Sequence, residues 1–359
     1  MRGKANSQVS MVALVSVEGL VPDDHPLRGV KKLADEALKA LSPQFDAMYA
    51  SAGRPSVPPE RLMKATLLLA LFSVRSERQL CEQIRYNMLF RWFLDMDLSE
   101  TPFDVTVFTK NRQRLMEHEI APKFLHQVVE LARARGLLSA EHFSVDGSLI
   151  EAWASMKSFR PKDDDSGDNN GFGDFSGTKR SNDTHESKTD PEAKLMRKGR
   201  GKEAKLAYMA HLMTENRNGL ITDMRTTQAN GTAERDAAAE MVGAERKRHQ
   251  ARKPRRITIA ADKGYDAREF IVRLRKLRAT PHVARRKHSI VDDRTTRHAG
   301  YLVSSKARRL IEKVFGWLKT VAGLRRTRFR GRERTDHFGQ IAAAAFNLLR
   351  ISHLSESPV

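Results

Sequence analysis

The sequence predicts an α/β fold, a mixed sheet flanked by helices, preceded by an all-helical N-terminal domain. Between residues 28 and 136, apolar residues recur near the helical period. From residue 141 onward, short stretches rich in β-branched or aromatic residues alternate with helical stretches. That alternation is typical of a sheet covered by helices. We therefore expect the helices to come first along the chain and the sheet second.

Four stretches of the N-terminal region have the pattern of helices: KKLADEALKALSPQF, PERLMKATLLLALFSV, SERQLCEQIRYNMLFRWFL and FTKNRQRLMEHEI. Ser76 and Gln79 have the spacing of a capping box, in which two side chains bind free amides at the start of a helix. The prolines of GRPSVPPE mark the start of a helix at Glu60. Helix boundaries are therefore indicated at two places.

The second half begins with the strand EHFSVDG, residues 141–147, which we expect Gly147 to end. ENRNG predicts a hairpin between AKLAYMAHLMTE and LITDMRTTQ, with a type I′ turn at Asn218 and Gly219. The later elements are the helix TAERDAAAEMVGAERKR, the strand ITIAAD, the helix AREFIVRLRKL, a strand near PHVAR, a helix over about 304–321 and the tail helix IAAAAFNLLRIS.

The composition changes sharply from about 157 to 203, where Lys, Asp, Ser, Gly, Asn and Thr replace most large apolar residues. Such a composition predicts a solvated insertion or linker. We divide the chain into four parts on this basis. They are a flexible N-terminus at 1–24, a helical N-terminal domain at 25–137, an α/β domain at 138–352 that carries the polar insertion, and a tail at 353–359.

The charge of the chain indicates a polyanionic partner. Lys and Arg number 64 against 44 Asp and Glu, a formal net charge of +20. A membrane surface is the competing polyanion, but the sequence has no apolar run of about 18 residues, so we favour nucleic acid and expect no membrane association. The single Cys81 excludes an internal disulfide and a Cys-rich zinc site, and it favours a reducing cytoplasm.

Three acidic residues stand out by their positions. Asp146 ends the first predicted strand, Asp262 ends ITIAAD, and Glu312 lies on a predicted helix. Ligand sites of α/β sheets form at the carboxyl ends of strands, although a strand-end Asp more often caps a turn. Asp266 has the spacing of a helix N-cap with Glu269, which leaves Asp262 available for another role.

Glu312 shares a polar helix stripe with Arg308, Gly316 and Lys319. The alternative is an ordinary ion pair between Arg308 and Glu312 on a solvated face. A glycine inside a helix favours close approach of another backbone, for which DNA is a candidate. Three carboxylates can hold two Mg²⁺ ions, with Mn²⁺ as a substitute, for in-line displacement at phosphorus, and nearby cations would bind the flanking phosphates.

In these segments the sequence resembles the IS-five group of bacterial insertion-sequence transposases, DDE enzymes with an RNase H-like fold. The resemblance extends from about HPLRGVKKLADEAL to AAAAFNLLR and includes HFSVDGSLIEAWASMKSF, AADKGYDAREF and KARRLIEKVFGWLKT. It implies that Asp146, Asp262 and Glu312 are the catalytic, metal-binding acids. Relatives have a Tyr, Arg, Glu, Lys signature around the last acid. Arg308, Glu312 and Lys319 fit it, but Ser305 stands at the Tyr position.

The resemblance implies a transposase that hydrolyses phosphodiesters at the element ends and transfers the freed 3′-hydroxyl into target DNA. Its partners would be double-stranded DNA, as terminal inverted repeats and as target, and a second copy of the chain, because two ends are cut. A cytoplasmic, nucleoid-associated location in bacteria would follow. Two alternatives are a catalytically silent, transposase-derived DNA-binding regulator, whose hallmark would be a missing acid, and a DDE nuclease that cuts without joining.

In that family the helical N-terminal part is thought to recognise the inverted repeats. SERQLCEQI and TVFTKNRQRL could form a pair that resembles a helix-turn-helix, with Lys110, Arg112 and Arg114 facing DNA. The stretch between the two helices is longer than a standard turn. A solvated basic helix without DNA contact is the alternative.

Overall fold

The computed structural model describes residues 16–50, 56–162, 180–197, 199, 201–249 and 256–356. The N-terminal helices are α1 (Val17–Leu20), α2 (Leu27–Lys39), α3 (Ser42–Asp46), α4 (Pro59–Leu71), α5 (Glu77–Tyr86), α6 (Met88–Phe93), α7 (Val105–Glu117) and α8 (Ile120–Ala134). The strands are β1 (His142–Glu151), β2 (Phe159–Pro161), β3 (His185–Ser187), β4 (Lys194–Arg197), β5 (Ala204–Glu215), β6 (Ile221–Gln228), β7 (Ile257–Ala261) and β8 (Ala279–Val283). The later helices are α9 (Ala233–His249), α10 (Arg268–Lys276), α11 (Asp293–Arg297), α12 (Ala299–Ala307), α13 (Arg309–Thr320) and α14 (Arg332–Glu356).

The central sheet has the order β6-β5-β1-β7-β8, and β4 pairs with the first residues of β5. β5 is antiparallel to β1 and to β6, whereas β7 and β8 run parallel to β1 and to each other. This mixed sheet, with helices before and around it, confirms the predicted fold class. Among the described residues no helix is long and apolar enough to cross a lipid bilayer.

One apolar cluster connects the N-terminal helices with the sheet. It includes buried side chains of α2, α4, α8 and α14 together with residues of β5 and β6. α14 contacts β6, α8 and α4, so the predicted tail helix lies between the two parts of the chain. The domain boundaries proposed from the sequence stay a prediction. Residues 1–15 of the predicted flexible segment and 357–359 of the predicted tail lie outside the described residues.

The predicted start of a helix at Ser76 is confirmed, because α5 begins at Glu77 with Ser76 as its N-cap. Ser76 Oγ accepts a hydrogen bond from Gln79 N at 3.1 Å, while Gln79 Oε1 accepts from Arg75 N at 3.1 Å. The single helix predicted to continue beyond residue 86 is wrong. Asn87 has extended backbone angles, and its side chain starts α6 by accepting from Phe90 N at 3.2 Å.

β5 and β6 form the predicted hairpin, but the predicted type I′ turn is wrong. The connection has five residues, 216–220, and of its residues only Gly219 has a positive φ, at 70°. The buried carboxylate of Glu215 organises the loop instead, because it accepts hydrogen bonds from Asn218 N at 2.5 Å and Leu220 N at 3.3 Å. The Glu215 side chain therefore stabilises this loop, and the two residues of positive φ that a type I′ turn requires are not needed.

The predicted solvated insertion is folded where the structure describes it. β2 and β3 form an antiparallel pair, and β4 joins the main sheet. Phe159 and Asp190 are buried, and Tyr208 donates a hydrogen bond to Asp190 Oδ1 at 2.6 Å. The linker interpretation is therefore wrong for these segments. Residues 163–179, 198 and 200 of the same stretch lie outside the described residues.

The helix predicted over about 304–321 is divided. α12 ends at Ala307 and α13 begins at Arg309. Ile311 N donates to Arg308 O at 3.1 Å, a bond to the third preceding residue that interrupts the regular α-helical series. Glu312 and Lys319 both lie on α13, and Arg308 is the N-cap residue of the same helix.

Candidate active site

A cleft of about 710 Å³ lies beside β1, the first turn of α9, the end of β7 and one face of α13. Its lining includes the three acids singled out in the sequence, Asp146, Asp262 and Glu312. Arg308 and Lys319, which the sequence places on the same helix stripe as Glu312, line it too. The fold thus brings together five candidate residues from three separate segments. We call this space the acid cleft.

Asp146 lies within β1, and the prediction that it ends the strand is wrong. β1 continues through Gly147 to Glu151 because these residues pair with β5, where Asp146 stands opposite Leu212. The parallel pairing of β1 with β7, however, extends only from His142 to Ser144. Asp146 is therefore beyond the carboxyl end of the shared β1–β7 ladder, where α/β folds place their ligand sites.

Asp262 follows the last residue of β7 and so has the predicted position. Its Oδ1 accepts a hydrogen bond from Gly264 N at 2.7 Å, which caps a short turn. The predicted capping role of Asp266 is wrong, because α10 starts after Ala267 without a side-chain cap. Asp266 instead accepts from Ser289 Oγ at 2.7 Å. Asp262 lines the cleft although Asp266 does not cap α10.

The polar stripe of α13 faces the cleft. Glu312 Oε1 lies 3.8 Å from Arg308 Nη1, and the Glu312 side chain is 62% exposed. Lys319 Nζ donates a hydrogen bond to Ser148 Oγ on β1 at 2.6 Å. The ordinary ion pair considered from the sequence is therefore present, and the same two residues also belong to the cleft. Ser305, at the Tyr position of the signature, lies on α12.

The structure adds a fourth acid, Glu234, which the sequence analysis missed. Glu234 lies in the first turn of α9, and its side chain packs directly against Gly147. A Cβ on Gly147 would lie 2.7 Å from Glu234 Cγ and from Glu234 Oε1. The absence of a side chain at Gly147 is therefore what allows Glu234 to approach Asp146. An acid in a first helical turn is common for dipole reasons alone, so its sequence position gave no distinguishing signal.

The acids disturb one another electrostatically. Burial, together with the negative charges of Asp262 and Glu234, raises the pKa of Asp146 to about 7, against the opposing effects of the Gly147 amide and Arg308. Burial and the charge of Asp262 likewise raise the pKa of Glu234. Carboxylates that raise one another's pKa lack sufficient positive charge nearby. The cleft is accordingly suited to receive a cation.

Two sequence profiles match the chain. The profile described as "Transposase domain (DUF772)" matches residues 15–114, and the profile described as "Transposase DDE domain" matches residues 177–348. The chain belongs to the DDE transposases. It is a DNA transposase, and the second matched segment contains Asp262 and Glu312. The profiles do not distinguish the IS-five group from other members.

Solved structures of two transposases resemble the chain. A piggyBac transposase synaptic complex with hairpin DNA is 10% identical, with 92% of this chain and 76% of that chain covered and a TM-score of 0.40. A pre-cleavage Mos1 transpososome is 14% identical, with 87% and 83% covered and a TM-score of 0.21. A comparison with curated proteins found no match. The family assignment rests on the two sequence profiles.

DDE transposases depend on a divalent metal, and the side chains of this transposase fit one chemically. Among the described residues, no Cys or His lines the acid cleft, which offers carboxylate oxygens and the amide of Asn230. Oxygen donors suit Mg²⁺ and Mn²⁺. In the same part of the chain, no three His, Cys, Asp or Glu side chains come close enough to hold one ion together. The oxygen donors of the acid cleft therefore fit Mg²⁺ or Mn²⁺. In the structure Glu312 forms an ion pair with Arg308.

The N-terminal cations of the transposase have different surroundings. Lys110 is exposed on α7. Arg112 forms an ion pair with Glu77, and its guanidinium lies 4.8 Å from the ring centre of Phe329. Arg114 lies over the ring of Tyr49 at 4.7 Å. Arg112 and Arg114 thus have partners inside the protein, which does not favour the predicted DNA-facing orientation. DNA contact by this helix stays a prediction, with Lys110 its best-placed residue.

Proposed function

We propose that this transposase hydrolyses phosphodiester bonds at the ends of its element and then transfers the freed 3′-hydroxyl into target DNA, with Asp146, Asp262 and Glu312 as the catalytic acids. One observation supports this assignment above all others. The three acids come from β1, the end of β7 and α13, yet they line one cleft together with Arg308 and Lys319. Acids and cations side by side are what phosphoryl transfer requires.

Each side chain has a role that its surroundings support. Asp146, Asp262 and Glu312 would hold the divalent metal, two Mg²⁺ ions in our proposal with Mn²⁺ as a substitute, which would stabilise the attacking and leaving oxygens at phosphorus. Arg308 and Lys319 would bind phosphates on either side of the cut. Lys319 is already held in position by Ser148 on β1. Arg308 lies close enough to Asp146 to lower its pKa.

The proposal includes the wider setting of the reaction. We infer membership of the IS-five group, recognition of terminal inverted repeats by the helical region at 25–137, and a homodimer or larger assembly, since two ends must be cut. A chain of net charge +20 supports association with DNA and hence a cytoplasmic, nucleoid-associated location.

A cleavage and joining assay tests the catalytic assignment. The substrate is a labelled duplex with the terminal repeats that flank the gene, incubated with Mg²⁺ or Mn²⁺. Asp146→Asn, Asp262→Asn and Glu312→Gln should each reduce the rate more than about a hundredfold, because each removes a charged oxygen ligand while keeping the shape of the side chain. Binding of the duplex should persist in all three variants.

Asp236→Asn is the matched control. Asp236 lies on the same helix as Glu234 but forms an exposed ion pair with Arg273. It should keep wild-type activity. An undiminished rate in one of the three acid variants would remove that acid from the assignment. Cleavage without any joined product in the wild type would favour the nuclease alternative, and intact substrate with normal binding would favour the silent regulator.

A further inference from the structure

A second groove, of about 920 Å³, lies beyond the end of β1. We call it the arginine groove and define it by Arg75, Arg326, Arg328, Arg330, Trp153 and Thr320. Among the described residues that line it, none is acidic. Four guanidinium groups that line one groove, with no carboxylate in its lining, repel one another. The groove is therefore suited to an anionic ligand.

Two of the arginines, Arg326 and Arg328, are held in place by hydrogen bonds to backbone carbonyls. Arg326 donates hydrogen bonds to Ala152 O at 3.1 Å and to Trp153 O at 2.8 Å. Arg328 donates to Val74 O at 2.6 Å, and its burial lowers its pKa. In the described part of the chain none of the four arginines forms an ion pair with a carboxylate. The charge of Glu77, which is paired with Arg112, acts on Arg328 from a distance.

Trp153 gives the groove an aromatic surface. Trp153 is 44% exposed, which is unusual for a tryptophan, and the guanidinium of Arg330 lies 4.5 Å from its ring centre. A cation over the face of an aromatic ring is attracted by the ring, so Arg330 and Trp153 hold each other in position. An exposed tryptophan among arginines combines the two features that bind single-stranded nucleic acid, a stacking surface and a basic track.

The arginine groove and the acid cleft meet on one face of α13. Gly316 lines the cleft and Thr320 lines the groove, four residues later, so the two are stacked on consecutive helical turns. Thr320 Oγ1 donates to Gly316 O at 2.8 Å. Glu312 and Thr320 are separated by about 12 Å along the helix axis. A DNA strand advances about 3.4 Å per nucleotide, so a strand could extend from the acids into the groove within about five nucleotides.

We propose that the arginine groove binds the phosphates of a DNA strand that leaves the acid cleft, and that Trp153 stacks on an unpaired base of that strand. The base must be unpaired because the faces of paired bases are already stacked within a duplex. The proposal rests on the proposed function, since it takes the acid cleft as the place where the strand is cut. It adds a strand-holding site that acts beside the chemistry.

Binding without metal tests the groove separately from catalysis. The probes are a fluorescent oligothymidylate of about 20 nucleotides and an abasic oligonucleotide of the same length, measured by anisotropy in EDTA. Trp153→Ala should weaken oligothymidylate binding on the order of tenfold and leave abasic binding within about twofold, because only the first probe has bases to stack. Trp153→Phe should restore oligothymidylate binding.

Arginine variants test the phosphate contacts. Arg75→Gln should weaken the binding of both probes and reduce its dependence on salt, because a phosphate contact is lost. Arg273→Gln is the matched control, since Arg273 is an exposed arginine on α10 paired with Asp236. It should bind like the wild type. A thermal melt of each variant identifies any that fails to fold.

Two results would overturn the proposal. Equal oligothymidylate binding by wild type and Trp153→Ala would remove the stacking site, and equal binding of both probes by wild type and Arg75→Gln would remove the phosphate track. Neither result depends on the three acids, because the metal is absent. An error in the assignment of the three catalytic acids would change only the result of the cleavage assay, which contains metal. An error in the proposed strand-holding site would change only the binding result in EDTA, so the two proposals can fail separately.

Discussion

Asp146 and Asp336 are both largely withdrawn from water, and burial raises the pKa of both, to about 7 and about 6 respectively. The charges and hydrogen bonds that act on the two carboxyl groups differ. Asp146 borders an open cleft with Asp262 and Glu234, whose charges oppose its ionisation. Asp336, on α14, accepts hydrogen bonds from Thr226 N and from Gln340 Nε2, at 2.5 and 2.6 Å.

The hydrogen bonds of Asp336 have a structural purpose. Thr226 belongs to β6, which is the last strand at one end of the sheet order, so Asp336 satisfies a backbone amide at the edge of the sheet and attaches α14 there. A raised carboxyl pKa therefore does not by itself identify a catalytic acid. Asp336 also lines a cavity with acids and arginines, of about 740 Å³. Both of its carboxylate oxygens already accept hydrogen bonds, and the charge that acts on it is that of Arg332, which lowers its pKa. Asp146 instead faces the charges of two other acids.

Among the variants that keep all three proposed catalytic acids, Gly147→Ala should have the largest effect. The new methyl group would lie 2.7 Å from Glu234 Cγ, so the Glu234 side chain must move away from Asp146 while the strand remains intact. We expect cleavage to slow on the order of a hundredfold, because small displacements at a reacting centre have effects of that size. The measurement is the single-turnover rate of cleavage, with circular dichroism as a check on folding.

The Glu234→Ala background is the control for this prediction. There the added methyl group has nothing to displace, so Gly147→Ala should slow the reaction by less than about threefold further. A full hundredfold loss in both backgrounds would show that Gly147 matters for another reason.

Asp336→Asn should change how stability depends on pH. Because the folded pKa of about 6 lies above the value of 3.8 for an unperturbed Asp, the folded state keeps a proton that the unfolded state releases. The wild type should therefore lose roughly 2–3 kcal/mol from this group as the pH rises from about 4 through 6. Asn cannot ionise, so the loss should disappear.

Urea unfolding of both proteins at several pH values measures this difference. The midpoint of Asp336→Asn relative to the wild type should be higher at pH 8 than at pH 4. Gln340 Oε1, which has no hydrogen-bond partner, can accept from the new amide. A constant difference at all pH values would mean that Asp336 does not titrate in this range.

Divalent metal should stabilise the folded protein through the acid cleft and not through Asp336. At a free Mg²⁺ or Ca²⁺ concentration about a hundred times Kd, binding stabilises the folded state by roughly 2–3 kcal/mol. Asp262→Asn should lose this stabilisation, and Asp336→Asn should keep it. Differential scanning fluorimetry with and without metal gives the shift in Tm. An equal shift in the wild type and in Asp262→Asn would place the metal elsewhere.

Asp236→Asn should have the smallest effect. Asp236 and Arg273 form an exposed ion pair at 2.7 Å, and such pairs contribute less than about 1 kcal/mol. We expect Tm, the cleavage rate and the metal-induced shift all to remain close to wild type. A clear loss in any of these three quantities would mean that an exposed carboxylate on α9 affects the protein as much as the carboxylates of the acid cleft. The cleft would then no longer be distinguished from the exposed surface of α9.

The sequence located the candidate acids better than it explained them. The sequence predicts a capping role for Asp266 that would leave Asp262 available, and that capping role is wrong. It predicts Asp146 at a strand end, whereas Asp146 lies in mid-strand and reaches the cleft because the parallel ladder ends at Ser144. The prediction for Glu312 depends least on distant residues, since helical spacing alone places it on one stripe with Arg308.

Local patterns determined the regular elements, the net charge and the polar stripe of α13, because these depend on residues close together in the chain. Only the tertiary structure decided that Glu234 lies against Gly147, that Arg112 is used in packing, and that the arginine groove adjoins the acid cleft. The physical reason is that strand pairing and helix packing join residues far apart in sequence. A local sequence pattern does not predict which charged residue or glycine from a distant part of the chain will lie beside a given residue.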